Sequence, residues 1–225
     1  MEINPDNIIL LHLGDIGLNA TILFTWLVMA VLVVGSWLVT RNLSVDSQIS
    51  NWQNVLEIIV ESISGQIRDA SEQEPEPYLP FIGTLFLFIA IANLLAIVPF
   101  YISPAASLST TSALALCVFV AVPLFGIRKV GLLSYLENYI QPTPLMLPFT
   151  LIGEISRTAS LAIRLFGNIM SGNLLVAILV SLVPLFIPPV MQAFGLLIGV
   201  IQAYVFSILA MVYITSGMRT QQTLD

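Results

Sequence analysis

FTLIGEISRTASLAIRLFGNIMSGNLLVAILVSLV, Phe149–Val183, runs for about 35 residues without a proline and is mostly apolar. As one helix it would be about 52 Å long at 1.5 Å per residue. A bilayer's hydrocarbon core is only about 30 Å thick, so such a helix must tilt steeply, break, or run partly along the membrane plane. Pro184, Pro188 and Pro189 are expected to end it. A second long apolar run, Val190 to Ser216, follows and exits at Arg219.

The rest of the chain has the same character. Of 225 residues, 57% are hydrophobic and 9% charged, with mean hydropathy +0.96. A soluble domain carries about 25% charged residues, so this chain lacks the charge to cover a water-facing surface. That excludes an ordinary cytosolic enzyme and a disordered protein. A net charge of -6 and a pI near 4.6 argue against a nucleic-acid partner. A single cysteine, Cys117, excludes a disulfide framework and a cysteine-rich metal site. The expectation is an all-α polytopic membrane protein, one integral domain over residues 1–225.

Five passes are expected, at 18–40, 79–101, 109–127, 149–183 and 190–216. The first is retained rather than cleaved: Glu2, Asp6 and Asp15 precede it with no basic residue, unlike the positive flank of a signal peptide. Residues 42–78 break the pattern with eight acidic or basic side chains. Within them Trp52, Val55, Leu56, Ile59, Ile63 and Ile67 recur at helical steps. This predicts an amphipathic helix on the membrane surface or against a partner, with a solvated connecting helix as the alternative. Pro75, Pro77 and Pro80 end it. Arg41 and Arg68 follow the first pass, Arg128 and Lys129 the third, Arg219 the last. The positive-inside bias then puts the N-terminus outside, and residues 42–78 and the C-terminus in the cytoplasm.

Charge within a span costs at least about 2.5–3.5 kcal/mol at a helix centre and is a functional clue. Glu154, Arg157 and Arg164 lie in the fourth pass. Glu154 and Arg157 are spaced to pair on one helix face, or they anchor at the interface. Arg164 has no acidic residue within nine positions on either side, so its counter-charge is expected from another chain; a snorkelling arginine is the alternative. Arg157, Ser160, Arg164, Asn168 and Ser171 recur at steps of three and four and form one polar stripe. Asn173 lies about 180° from Arg164 and is expected to face the subunit interior, lining a hydrated path with Ser107–Ser112. On the last pass Gln192, Gly195, Gly199 and Gln202 share a face. The glycines permit close helix approach, and Gln202 is expected to bond near Arg164, since an unpaired buried amide is costly. Asn93 lies inside the second pass. There is no P-loop and no Gly-x-Ser-x-Gly elbow, and the one histidine, His12, precedes the spans. No metal or cofactor site is expected.

The run Ser160-Leu161-Ala162-Ile163-Arg164-Leu165-Phe166-Gly167-Asn168 resembles the signature of subunit a of the F-type ATP synthases. The resemblance continues at Asn93-Leu94 before Pro99, at Thr110-Thr111, at Val183-Pro184-Leu185 and at Ile201–Phe206, and covers most of Leu79–Tyr213. It implies a non-catalytic membrane stator whose two long tilted helices face a rotating c-ring. Ions enter one half-channel, ride a ring carboxylate and leave by another. Arg164 would separate the half-channels, with Asn168 and Gln202 beside it. The implied partners are the c-ring, the subunit b peripheral stalk and the rest of the F1Fo complex, in a bacterial inner membrane with H+ or Na+ as the transported ion.

The chain departs from that family at Asn173, where many members carry an ionisable residue, and at Gly195, where its presumed partner stands. Arg157-Thr158 replaces a common Lys-Pro. The short length and this pattern resemble the N-type bacterial branch, often linked to Na+. Two rivals predict features not visible here. A secondary ion transporter predicts paired internal repeats, and an intramembrane enzyme predicts a nucleophile–base pair within the spans.

Overall fold

The computed structural model describes residues 9–13, 16–41, 51–71, 74–98, 101–132, 146–182 and 187–219. Residues 42–50, 72–73 and 133–145, and the Val183-Pro184-Leu185 match, lie outside them. The described body is helical: α1 Ala20–Thr40, α2 Asn51–Ser71, α3 Leu79–Leu94, α4 Leu108–Val130, α5 Met146–Leu182 and α6 Ile187–Arg219. Five of the helices are long and apolar enough to cross a membrane. One element was not foreseen. Strands β1 Ile9–Leu13 and β2 Ile16–Asn19 pair antiparallel, with Leu13 opposite Ile16, and lead directly into α1. The helices carry the fold class, and the hairpin is an addition to it.

Prolines account for most of the boundary differences. Pro188 and Pro189 were read as ending the fourth pass, but they sit in the first turn of α6. Pro148 likewise sits in the first turn of α5, and Pro80 in that of α3. The first turn tolerates proline, because its N–H groups have no partner within the helix anyway. Pro123 stands inside α4 and removes one backbone donor there. The second span stops at Ile97, with a 3-10 turn at Leu95–Ile97, rather than at Tyr101. A second turn, Pro104–Ala106, leads into α4. There Ser107 caps the helix, its hydroxyl accepting from the Ser109 N–H at 3.2 Å. Gly131 closes α4 at φ 92°, a left-handed value that favours glycine, after Arg128 and Lys129 in the last turn.

α3 and α6 pack at the centre. Ile89 and Ala92 on α3, and Ala203, Phe206 and Ala210 on α6, are fully buried. α5 packs on α4 and α6 along Leu161, Ala162 and Leu165. α1 is peripheral, with Trp26, Val33 and Trp37 exposed, as suits a lipid-facing helix. The amphipathic segment packs against helices of this same chain. α2 lays Ile63 and Ile67 onto α3 and α6 and leaves Val55, Ile58 and Val60 exposed.

At one pole Phe125 of α4 meets Tyr78 and Phe81 at the start of α3, with ring centroids 5.2 and 6.0 Å apart. At the other pole Phe24 of α1 meets Tyr101 edge-on at 4.9 Å.

Candidate functional site

α5 presents its polar stripe outward. Arg157, Ser160, Arg164, Asn168 and Ser171 are all exposed, while the line through Leu161 and Leu165 is packed inside. The stripe spans about 21 Å along the axis at 1.5 Å per residue. Arg164 sits at its middle and near the middle of the helix. The nearest carboxylate in sequence, Glu154, is ten residues away, about 15 Å along the helix. A cation on an apolar helix without a local counter-charge is costly within a membrane.

Two amides support this face. Asn168, one turn beyond Arg164, donates from Nδ2 to Oε1 of Gln202 on α6 at 2.8 Å, and the hydroxyl of Ser171 donates to the Asn168 carbonyl at 3.1 Å. Gln202 is only 4% exposed. Its Nε2 is buried and finds no acceptor among the described residues, although a buried amide is normally fully bonded.

The other expectations divide. Asn93 is buried at 5% and donates to the Gly199 carbonyl at 3.2 Å. The close approach at Gly199 is therefore made by α3 rather than by the arginine-bearing helix. Gly195 faces open space and Gln192 is exposed, so those two do not join the buried face of Gly199 and Gln202. The guanidinium carbon of Arg157 lies 5.9 Å from the centre of the Tyr213 ring, a cation–π distance that ties the stripe to α6. Glu154 is half-buried, its carbonyl accepting from the Thr158 hydroxyl.

Asn173 needs a correction. It was expected to face the subunit interior, but it is exposed. The 180° argument holds only where neighbours surround the helix, and from Ser171 to Ser181 α5 has no fully buried residue. Two other groups, Tyr101 and Ser103, escaped the sequence reading. They lie in the connection before α4, the Tyr101 and Ser103 hydroxyl oxygens both buried and without a hydrogen-bond partner among the described residues. Buried Ser107 and Thr111 follow. Burial raises the Tyr101 phenol above its ordinary range, so it stays protonated. Nothing in local sequence marks these hydroxyls as buried, because the helices that cover them come from elsewhere in the chain.

Residues 22–215 match the ATP synthase A chain family. The chain is 70% identical over 222 residues to ATP synthase subunit a 1 of Crocosphaera subtropica, covering 99% of this chain and 96% of that one. It is 59% identical over 222 residues to ATP synthase subunit a 2 of a Picosynechococcus, covering 99% and 95%. It is 55% identical over 219 residues to ATP synthase subunit a of Albidiferax ferrireducens, covering 97% and 95%.

Proposed function

Because the chain belongs to the ATP synthase A chain family, we propose that its α5 stripe is the stator surface facing a carboxylate-bearing rotor ring. Ions then reach and leave that surface through two half-channels in this subunit. The chain itself catalyses no ATP chemistry, which falls to other subunits of the F1Fo complex. It sits in a bacterial inner membrane with its N-terminus outside, against the ring and the subunit b stalk. The observation that carries the reading is the exposed Arg164 with Asn168 one turn away, itself held by the buried Gln202.

The chemistry follows from charge. As a ring carboxylate passes, the fixed positive charge of Arg164 favours its ionised form and so promotes release of the bound cation. The same charge repels a cation that would cross directly between the half-channels. The attraction has to stay soft, because the driving term is only about 2.3 kcal/mol per charge per 100 mV. The exposed neutral side chains of Ser160 and Asn168 on either side of Arg164, with water, share the load without locking a salt bridge.

Orphaned hydroxyls at Tyr101 and Ser103 support an outer half-channel at the start of α4, since polar groups at such a site are tolerated where they line water. A path of hydroxyls in which the Tyr101 phenol stays protonated, with an amide rather than an ionisable side chain at Asn173, suits H+ or Na+. The amide at Asn173 favours the N-type branch. A secondary transporter is not favoured by the family match, which extends over α1–α6.

The test is ATP-driven ion pumping in inverted membrane vesicles. Arg164→Ala in an assembled complex should abolish coupled pumping and open a passive leak. Coupled pumping near the unmutated level would sink the assignment.

A further inference from the structure

Asn93 lies within a membrane span at 5% exposure, where an amide without a partner costs free energy. Its Nδ2 reaches the Gly199 carbonyl at 3.2 Å. Within a helix that carbonyl already accepts from the peptide N–H four residues on, so Asn93 uses its second lone pair. The approach depends on glycine. A Cβ at position 199 would stand 2.7 Å from the Asn93 Cβ and 3.0 Å from its Cγ, closer than real side chains pack.

The surrounding α3–α6 contact is built from Ile89, Ala92, Ala203 and Phe206. Between membrane helices such apolar surfaces gain little from leaving lipid, which is as apolar as they are, and they offer no directional bond. Asn93 is the directional element. Gln202 follows Gly199 by three residues, about 60° round the helix and 4.5 Å along it. A one-residue slip of α6 would turn Gln202 by about 100° and shift it about 1.5 Å, taking it off Asn168.

We infer that Asn93 is a positioning residue: its bond to the Gly199 carbonyl sets the register and rotation of α6, and so holds the Gln202 carboxamide against Asn168, one turn from Arg164. It touches neither the ion nor the ring. Its consequence for ion transport rests on the reading of Arg164 and Gln202 as the translocation site; the register does not.

The test uses the whole complex in membrane vesicles, with Cys117→Ser. The pair Asn168→Cys and Gln202→Cys is oxidised and the α5–α6 cross-link quantified. With Asn93 intact the yield should be high, and Asn93→Ala should lower the ratio of cross-linked to uncross-linked protein about fivefold, the equilibrium factor of one such hydrogen bond. Gly199→Ala should cut it too, by crowding. Asn93→Asp supplies a donor only while its carboxyl is protonated, and once ionised it repels the carbonyl. Its yield, taken against the Asn93 pair at the same pH, should be restored in acid. Arg164→Ala, which stops pumping, should leave the cross-link unchanged, so a failed register and a failed ion-pathway reading give different patterns. A yield with Asn93→Ala equal to that with Asn93, or one that Asn93→Asp restores at no pH, overturns the proposal.

Discussion

Gln202 separates what a residue does for stability from what it does for transport. Its Oε1 holds Asn168, while its Nε2 is buried without an acceptor. Loss of the first bond costs about 1 kcal/mol, and removal of the stranded donor returns about 1–3 kcal/mol. Gln202→Leu should therefore leave the complex as resistant to heat and detergent as before, or slightly more so, while ATP-driven pumping falls about tenfold. A parallel loss of assembly and pumping would mean that Gln202 is structural. Arg164→Lys tests the shape of the charge. The ammonium is compact, more strongly hydrated and more readily deprotonated than the delocalised guanidinium. It should keep assembly but cut coupled pumping by at least about tenfold, as read by the ion gradient formed per ATP hydrolysed. Pumping close to that of Arg164 would show that any cation suffices there.

At the scale of the helix, α5 changes character along its length: its middle packs through Leu161 and Leu165, and its later part stands free. Asn173 is in that free part. If it lines a hydrated groove, Asn173→Leu should slow passive ion flux through the membrane sector severalfold and leave the ring bound. Unchanged flux in proteoliposomes would remove it from the path. The spans were legible because hydropathy and length suffice to find them. So was the stripe, since residues at steps of three and four share a face whatever surrounds the helix. A polar partner for Gln202 near Arg164 was expected because a buried amide needs another polar group, but nothing in the sequence singled out Asn168 as that partner. The Asn93–Gly199 bond was not legible: it joins residues 106 apart, and periodicity does not say which helix meets a glycine. Gly195 and Gln192 shared the predicted face but stay exposed, because a helix wheel carries no information on where the neighbouring helix ends. The proline boundaries were misplaced for a local reason, since a proline in a first turn reads in sequence like a break.

Across the whole molecule, packing and charge agree on an orientation. A small cavity is lined by Ile63 and Ile67 of α2, Ile82 in the first turn of α3, and Ser207 and Met211 towards the end of α6. Phe125, near the end of α4, meets Tyr78 and Phe81. The α2 helix, the start of α3 and the ends of α4 and α6 therefore gather at one pole. That pole also holds Arg68, Arg128, Lys129 and Arg219, and Arg41 follows the end of α1, its guanidinium stacked over Trp37 at 5.1 Å. The opposite pole, where β2 leads into α1 and the Tyr101–Ser107 connection leads into α4, has no basic residue among those described. Basic residues stay on the cytoplasmic side, so the pole of α2 should be cytoplasmic. The label positions follow from burial. Ser103 is too enclosed for a bulky reagent at 7% exposure, whereas Ser109 and Asp69 are exposed. With Cys117→Ser to silence the native thiol, Ser109→Cys should react with a membrane-impermeant maleimide added to intact cells. Asp69→Cys should react only in inverted vesicles. Reaction of both from one side would contradict the fold as well as the orientation, because the residues flank the single crossing made by α3. Reversed sides would leave the fold standing and overturn the inside–outside assignment alone.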